Sequence, residues 1–291
     1  GCSVHPHRPL MSTQILAVLA LWRDSSDYLE RSLAQFDAME AALKKDGYKV
    51  VYGFFENDSV DDTPQKLQSW IREHTGFVIS ECIGAPKWGS TPSLKRVQYQ
   101  ARYRNMALKL LEQYYNFDYL LVADTDVHWK PDLIQDMIGV LDANPTWGMV
   151  SPNTVQNVRD HVENTDRPSY FDSWSLKDRD DKQCLTFAAN PFLHTEDRML
   201  WDRKEAVSCN SAFGSIAMVK AEAMDCEDGV EWAVIDGVEH WEFCAGIRSN
   251  GYEVIADPTL HAEIIHKKEV VAHPDVIQMQ KDRLQTALLM S

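Results

Sequence analysis

No stretch of this sequence stays apolar long enough to cross a bilayer. Its longest uninterrupted apolar run, Ile15 to Trp22, falls far short of the roughly 20 residues a spanning helix needs, so no membrane span is expected. Positive charge is also scarce. Lys and Arg number 29 against 44 Asp and Glu, a net charge of −15, and basic residues nowhere cluster at the density a phosphate backbone demands, which excludes nucleic acid as a partner. The same deficit constrains smaller anions: an acidic chain that binds a diphosphate must interpose a cation or gather local Arg and Lys. Cysteine is sparse and irregular. Cys2, Cys82, Cys184, Cys209, Cys226 and Cys244 form no Cys-x-x-Cys pair, so neither zinc spacing nor a disulfide framework is present, and a reducing, cytoplasmic setting is the expectation. Internal repeats and low-complexity tracts are missing. No Gly-rich, Lys-containing phosphate loop follows the first apolar run, which disfavours a nucleotidyltransferase that makes sugar nucleotides.

What is there is an alternation of strands and helices. Gln14 to Leu21 has strand length, and Ser25 to Lys45 carries Tyr28, Leu29, Leu33, Phe36, Met39 and Leu43 at helical spacing. Lys49 to Phe55 predicts a second strand that stops at the turn formers Glu56-Asn57-Asp58-Ser59, and Thr63-Pro64 opens a helix to about Glu73. Gly76 to Cys82 predicts a third strand, Leu94 to Tyr115 a long helix, Tyr119 to Ala123 a fourth strand, and Lys130-Pro131-Asp132 the start of a helix reaching about Leu141. Such a chain folds as an α/β domain, a mostly parallel central sheet flanked by helices, with ligands at the carboxyl ends of the strands. Leu21-Trp22-Arg23, Glu56-Asn57-Asp58 and Asp124-Thr125-Asp126 all fall at those ends.

Residues 151 to 202 are polar and aperiodic and predict long loops. Ser211 to Val219 and Tyr252 to Ala256 return to strand character, Glu239 to Asn250 reads as a helix closed by Gly251, and Pro274 to Leu289 as a C-terminal helix. Residues 14–270 are expected to form one domain, with a nucleotide-binding half at 14–150 and an acceptor half at 151–270. Residues 1–13 lack the apolar core of a signal peptide and read as an appended, disordered remnant outside the fold.

Asp124 and Asp126 stand two residues apart directly after an apolar strand, a spacing that turns both carboxylates to one side in extended backbone. Two hard oxygen ligands on a rigid strand end suit Mn²⁺ or Mg²⁺, and a cation there neutralises charge on a departing diphosphate.

Phe55-Glu56-Asn57-Asp58-Ser59-Val60-Asp61-Asp62-Thr63 resembles the acidic stretch after the second strand of GT-A glycosyltransferases. Arg104-Asn105, within Arg96 to Leu108, is similar to the Arg-Asn helix before their Asp-x-Asp strand, and Glu239-His240-Trp241-Glu242-Phe243-Cys244 with Arg248 to Tyr252 resembles the block that carries their acidic catalytic residue. With Tyr170-Phe171-Asp172, Lys177-Asp178-Arg179 and Val207-Ser208-Cys209-Asn210, the set resembles in order the fungal capsule-associated mannosyltransferases from about Ile15 to His266.

That resemblance implies a GT-A fold and transfer of a hexose from a nucleotide-diphosphate sugar to a saccharide acceptor. Leu21, Trp22, Arg23, Glu56, Asn57, Asp58, Arg104, Asn105 and Asp124 would bind the donor, although Trp22 reads equally well as core. Asp124, Asp126 and a late histidine, His266 ahead of His261, would hold the cation. Glu239 or His240 would be the base, but His240 stands where the inverting pattern has aspartate, so inversion and retention both remain open. Tyr170, Phe171, Trp174, Phe187, Phe192 and Trp201 read first as a hydrophobic cluster under a long loop and second as a saccharide surface. A reading of another class is a carbohydrate-binding protein without turnover. The sequence carries no signal of oligomeric state.

Overall fold

The computed structural model describes residues 13–88, 93–160, 165–226, 229–264, 270–271 and 274–290. Strand β1 (Ile15–Trp22) is the centre of the first half. It pairs in parallel with β2 (Lys49–Asn57) on one side and β4 (Tyr119–Ala123) on the other, and β2 pairs in parallel with β3 (Gly76–Glu81). The chain therefore runs outward from β1 through β2 to β3, then returns to the far side of β1. That reversal opens a crevice at the carboxyl ends of β1 and β4, where α/β sheets bind ligands.

Side-chain alternation splits each of these strands between two cores. Leu16, Val18, Ala20 and Trp22 of β1 pack with Leu29, Leu33 and Phe36 of helix α1 (Leu29–Lys45) and with Met137 and Leu141 of helix α4 (Asp132–Ala143). Ala17 and Leu19 face the opposite way, onto Ala107, Leu108 and Leu111 of helix α3 (Leu94–Tyr114) and Phe243 and Ile247 of helix α6 (Glu239–Ser249). Gly53 lets α3 lie directly on β2, since a Cβ there would stand 2.7 Å from Leu111. In β4, Leu120 and Val122 take the α3 and α6 side, so the next even position, Asp124, is delivered to that side too.

Beyond β4 the sheet becomes mixed. Strand β9 (Ile216–Lys220) lies antiparallel between β4 and β6 (Trp147–Asp160), and β10 (Glu253–Ile264) runs parallel to β6. The expectation of long loops over residues 151–202 is corrected here. The segment holds most of β6, the strand β7 (Thr165–Tyr170) paired with it, and helix α5 (Thr195–Asp202). Buried Ser151 and Thr154 hide β6 from a hydrophobic pattern; their hydroxyls donate to the backbone carbonyls of Ile255 on the neighbouring strand β10 and of Gly214 in the turn before β9. The last described element is helix α7 (Pro274–Met290). No described helix is long and apolar enough to cross a membrane.

Candidate active site

The turn after β4 is gripped from below by α1. Ser32 and Gln35, polar residues on the buried face of that helix, reach up to it: the Ser32 hydroxyl donates to the Thr125 carbonyl, and Gln35 donates to the Val127 carbonyl at 3.2 Å and accepts from the Trp129 amide at 2.9 Å. From the other side the Asp124 amide donates to the Ser215 carbonyl at 2.7 Å. The backbone that carries the two aspartates is thus held through its own amides and carbonyls.

Arg104 comes up from α3 beneath Asp124. Only 4% of its side chain is exposed; one guanidinium nitrogen lies 3.5 Å from an Asp124 oxygen and another donates to Glu239 at the first turn of α6. The guanidinium also lies 5.6 Å from the centre of the Phe213 ring. Asp124 keeps 36% of its side-chain surface open. Burial is the main force lifting its pKa to about 7; Arg104 opposes the rise, and the charges of Asp126 and Glu239 add to it. The Ser215 hydroxyl, buried and without a well-formed partner of its own, is close enough to Asp124 to favour the ionised form.

A further carboxylate enters from the tip of β7. Asp172 has φ +65° and accepts from the Ser175 hydroxyl at 2.5 Å. Burial raises its pKa to about 7, Ser175 partly offsets this, and Asp124 and Glu239 raise it further. Asp124, Asp126, Asp172 and Glu239 therefore share one crevice, with Arg104 as their partner from α3. Asp172 was not among the site residues expected from sequence; its one signal was the Tyr-Phe-Asp run at 170–172.

No family model and no curated protein matches the sequence. Solved structures do. The mannosyltransferase PcManGT from Pyrobaculum calidifontis, in complex with GDP-Man and Mn²⁺, superposes with a TM-score of 0.51 at 16% identity, over 87% of this chain and 57% of that one. GalNAc-T7 with UDP, GalNAc and Mn²⁺ gives 0.50 at 12% identity, over 94% and 48%. The fold is that of GT-A glycosyltransferases. The chain spans about half the length of these two structures.

On this GT-A frame several expected donor residues turn out to build the crevice rather than line it. Trp22 falls on the α1 face of β1, where it meets Phe36 and Phe54 edge-on at 6.5 and 5.4 Å; its expected donor contact is corrected to core packing, as strand alternation requires. Leu21 packs against the opposite core. Arg23 donates to the carbonyls of Ala85 and Pro86, at 2.8 and 2.9 Å. Glu56, 1% exposed, accepts from the Ser59 amide and the Ser80 hydroxyl, and Asn57 donates to Asp58. Asp58, at φ +52°, accepts from the amides of Gly84 and Ala85. Burial alone would raise the Asp58 pKa, but the bonds from Asn57 and these amides hold it below the ordinary value. These residues staple the 82–88 segment across the ends of β1 and β2. Beside it, Tyr103 stacks on Phe55 at 4.5 Å with its hydroxyl buried and unpaired.

Asn105 clasps the loop ahead of α6: its amide both donates to and accepts from the backbone of Trp232, at 2.7 and 2.8 Å. The Trp232 ring, stacked on Phe243 at 4.1 Å, donates its indole N–H to Nδ1 of His240 at 3.2 Å. His240 is itself stacked on Phe213 at 3.8 Å, and burial, with a smaller push from Arg104, drives its pKa well below the ordinary value. A neutral ring whose Nδ1 accepts carries its proton on Nε2, 3.7 Å from Glu239. The structure thus places His240 as a neutral, stacked ring beside Glu239, and Glu239 as the ion-pair partner of Arg104.

Replacing Trp232 with Phe keeps the stack but removes the donor to His240. The expected result is a loss of about 1–3 kcal/mol in urea unfolding, the range for a buried acceptor left unpaired, together with a change in the His240 nitrogen shifts by NMR. Unchanged shifts would show that the indole does not set the tautomer.

Tyr170, Phe192 and Trp201 pack edge-on at 5.7 and 5.4 Å in the core, the first of the two readings of that aromatic set. His261 lies exposed on β10, His266 lies outside the described residues, and among the described residues no three His, Cys, Asp or Glu side chains converge to hold a metal ion.

Proposed function

We propose that the chain is a glycosyltransferase that moves a hexose from a GDP- or UDP-sugar to a carbohydrate hydroxyl. The observation that carries the reading is the excess of carboxylate at the switch point of this fold: Asp124, Asp172 and Glu239 lie around Arg104, and Asp126 lies within electrostatic reach of Asp124. Such a charge imbalance suits a site completed by a cation. Asp124 and Asp126 would hold Mn²⁺ or Mg²⁺ together with the donor's own phosphate oxygens, and His266 is the proposed protein ligand beyond them. When bound, the cation supplies positive charge for the leaving diphosphate. Arg104 favours the ionised form of Asp124 from α3, Glu239 keeps Arg104 in place, and the segment stapled by Asp58 and Arg23 forms the wall proposed to meet the nucleoside. The sequence resemblance favours a mannosyl donor.

A thermal-shift panel of UDP-, GDP- and CMP-sugars with and without Mn²⁺ tests this, because a ligand that binds the folded state raises its melting temperature by mass action. One nucleotide class is expected to stabilise the chain in a Mn²⁺-dependent way and to be cleaved to its nucleoside diphosphate. Binding without cleavage would instead support a carbohydrate-binding protein, and no response to any donor would remove the proposal.

A pH dependence follows from the same carboxylates. Asp124 and Asp172 have folded pKa values of about 7, above those of an unfolded chain, so between about pH 4 and 7 the folded state binds more protons. Without metal, stability is therefore expected to fall as pH rises through this window, and added Mn²⁺ to stabilise more at pH 8 than at pH 5.5. Melting curves that respond to Mn²⁺ equally at both values would contradict this.

A further inference from the structure

We infer that Asp172 is the group that takes the proton of the acceptor hydroxyl; this rests on the transferase reading above. The inference starts from which side chains remain uncommitted. Glu239 is bound to Arg104, His240 is stacked behind Phe213 with Nδ1 occupied, and Asp124 and Asp126 are placed for the cation. Asp172 has one oxygen held by Ser175, and it stands one residue beyond β7 rather than on the donor-side strands.

Its placement is built. The Phe171 amide donates to Thr154 of β6 at 2.8 Å, which fixes the end of the hairpin. Asp172 then adopts left-handed backbone, rarely populated by residues other than Gly, Asn and Asp, with its carboxylate within electrostatic reach of Asp124, Glu239 and Arg104. Three contacts within the turn hold it: the Ser175 hydroxyl lies 2.5 Å from the Asp172 carboxylate and 3.0 Å from its carbonyl, and the Ser175 amide donates to that carbonyl at 3.1 Å. The turn is anchored to α6, where the Trp241 indole donates to the Trp174 carbonyl at 3.2 Å and Lys177 sits 3.9 Å over the Trp241 ring. Gly237 permits this seat, since a Cβ there would stand 2.0 Å from the same ring. Phe171 and Trp174, on either side of Asp172 in the sequence, are partly exposed, and such rings offer apolar faces on which a sugar could pack.

In the step this implies, the acceptor hydroxyl oxygen forms a bond to the anomeric carbon as its proton passes to Asp172. The electron pair of the bond between the anomeric carbon and the phosphate oxygen leaves with the nucleoside diphosphate. Asp172 and the diphosphate would lie on opposite faces of the sugar, so the product has inverted configuration.

The test uses the full chain and the nucleotide sugar selected by the shift panel. Asp172→Asn suits left-handed backbone and preserves the turn, so it is expected to keep the wild-type melting temperature and Mn²⁺-dependent donor shift. Its transfer to methyl hexosides is expected to fall about 100-fold or more, the usual share of a general base. Asp172→Gly also tolerates the backbone and leaves room for azide, an anion that needs no deprotonation; azide should restore turnover and yield the inverted glycosyl azide. Transfer by Asp172→Asn at the wild-type rate, or azide turnover lost as severely as hydroxyl transfer, would overturn the inference. A glycosyl azide of retained configuration would overturn it as well. A wild-type chain that cleaves no donor would instead remove the transferase reading and this base with it.

Discussion

Asp126→Ala is expected to lower Mn²⁺-dependent donor cleavage about a thousandfold, which corresponds to about 4 kcal/mol of transition-state stabilisation. Its melting temperature should stay within a few degrees of wild type. The two halves of this expectation have separate causes. The turn that carries Asp126 is held through its backbone by Ser32, Gln35 and the Ser215 carbonyl, none of which uses the Asp126 carboxylate. The carboxylate is proposed to hold the cation opposite the leaving diphosphate, an interaction that strengthens as charge develops. Nucleoside diphosphate release and a melting curve measure both halves, and a fully active variant would refute the metal role.

Arg104→Ala is expected to be the most destabilising single change at the site, by about 3–5 kcal/mol in urea unfolding. The guanidinium and the Glu239 carboxylate are each only 4% exposed, and removing the cation leaves Glu239 buried and uncompensated beside Asp124 and Asp172. Arg104→Met combined with Glu239→Gln removes both charges and is expected to recover most of the stability, while the donor-induced thermal shift stays lost. Recovery of both would mean that Arg104 serves packing alone. A loss below about 1 kcal/mol in Arg104→Ala would match a solvated surface pair and contradict the burial described.

The sequence carried those parts of the molecule whose signal is local. Alternating strands and helices up to residue 150, the carboxyl-terminal position of Asp124-Thr125-Asp126, and the helix that begins at Glu239 were all legible, because periodicity and turn residues are properties of short segments. The core reading of Trp22, one of the two the sequence offered, could be chosen by counting along β1, which puts it on the same face as Leu16, Val18 and Ala20. The strand β6 was not legible. Its buried Ser151 and Thr154 are satisfied by carbonyls of Ile255 and Gly214, more than 50 residues away, and a polar residue buried by a distant partner looks like loop in any local window.

The residue types at the site were thus set by the sequence, but their assignments were decided by tertiary structure. Arg104 and Glu239 are 135 positions apart and become one ion pair; Asn105 and Trp232, 127 apart, become one backbone clasp. Asn105, Glu56 and His240 each have partners inside the fold that no local window shows. Asp172 was drawn into the crevice the same way, by a hairpin and a turn whose anchors lie on α6. Local pattern fixes which groups a chain possesses, whereas burial and long-range pairing fix which of them remain unspent.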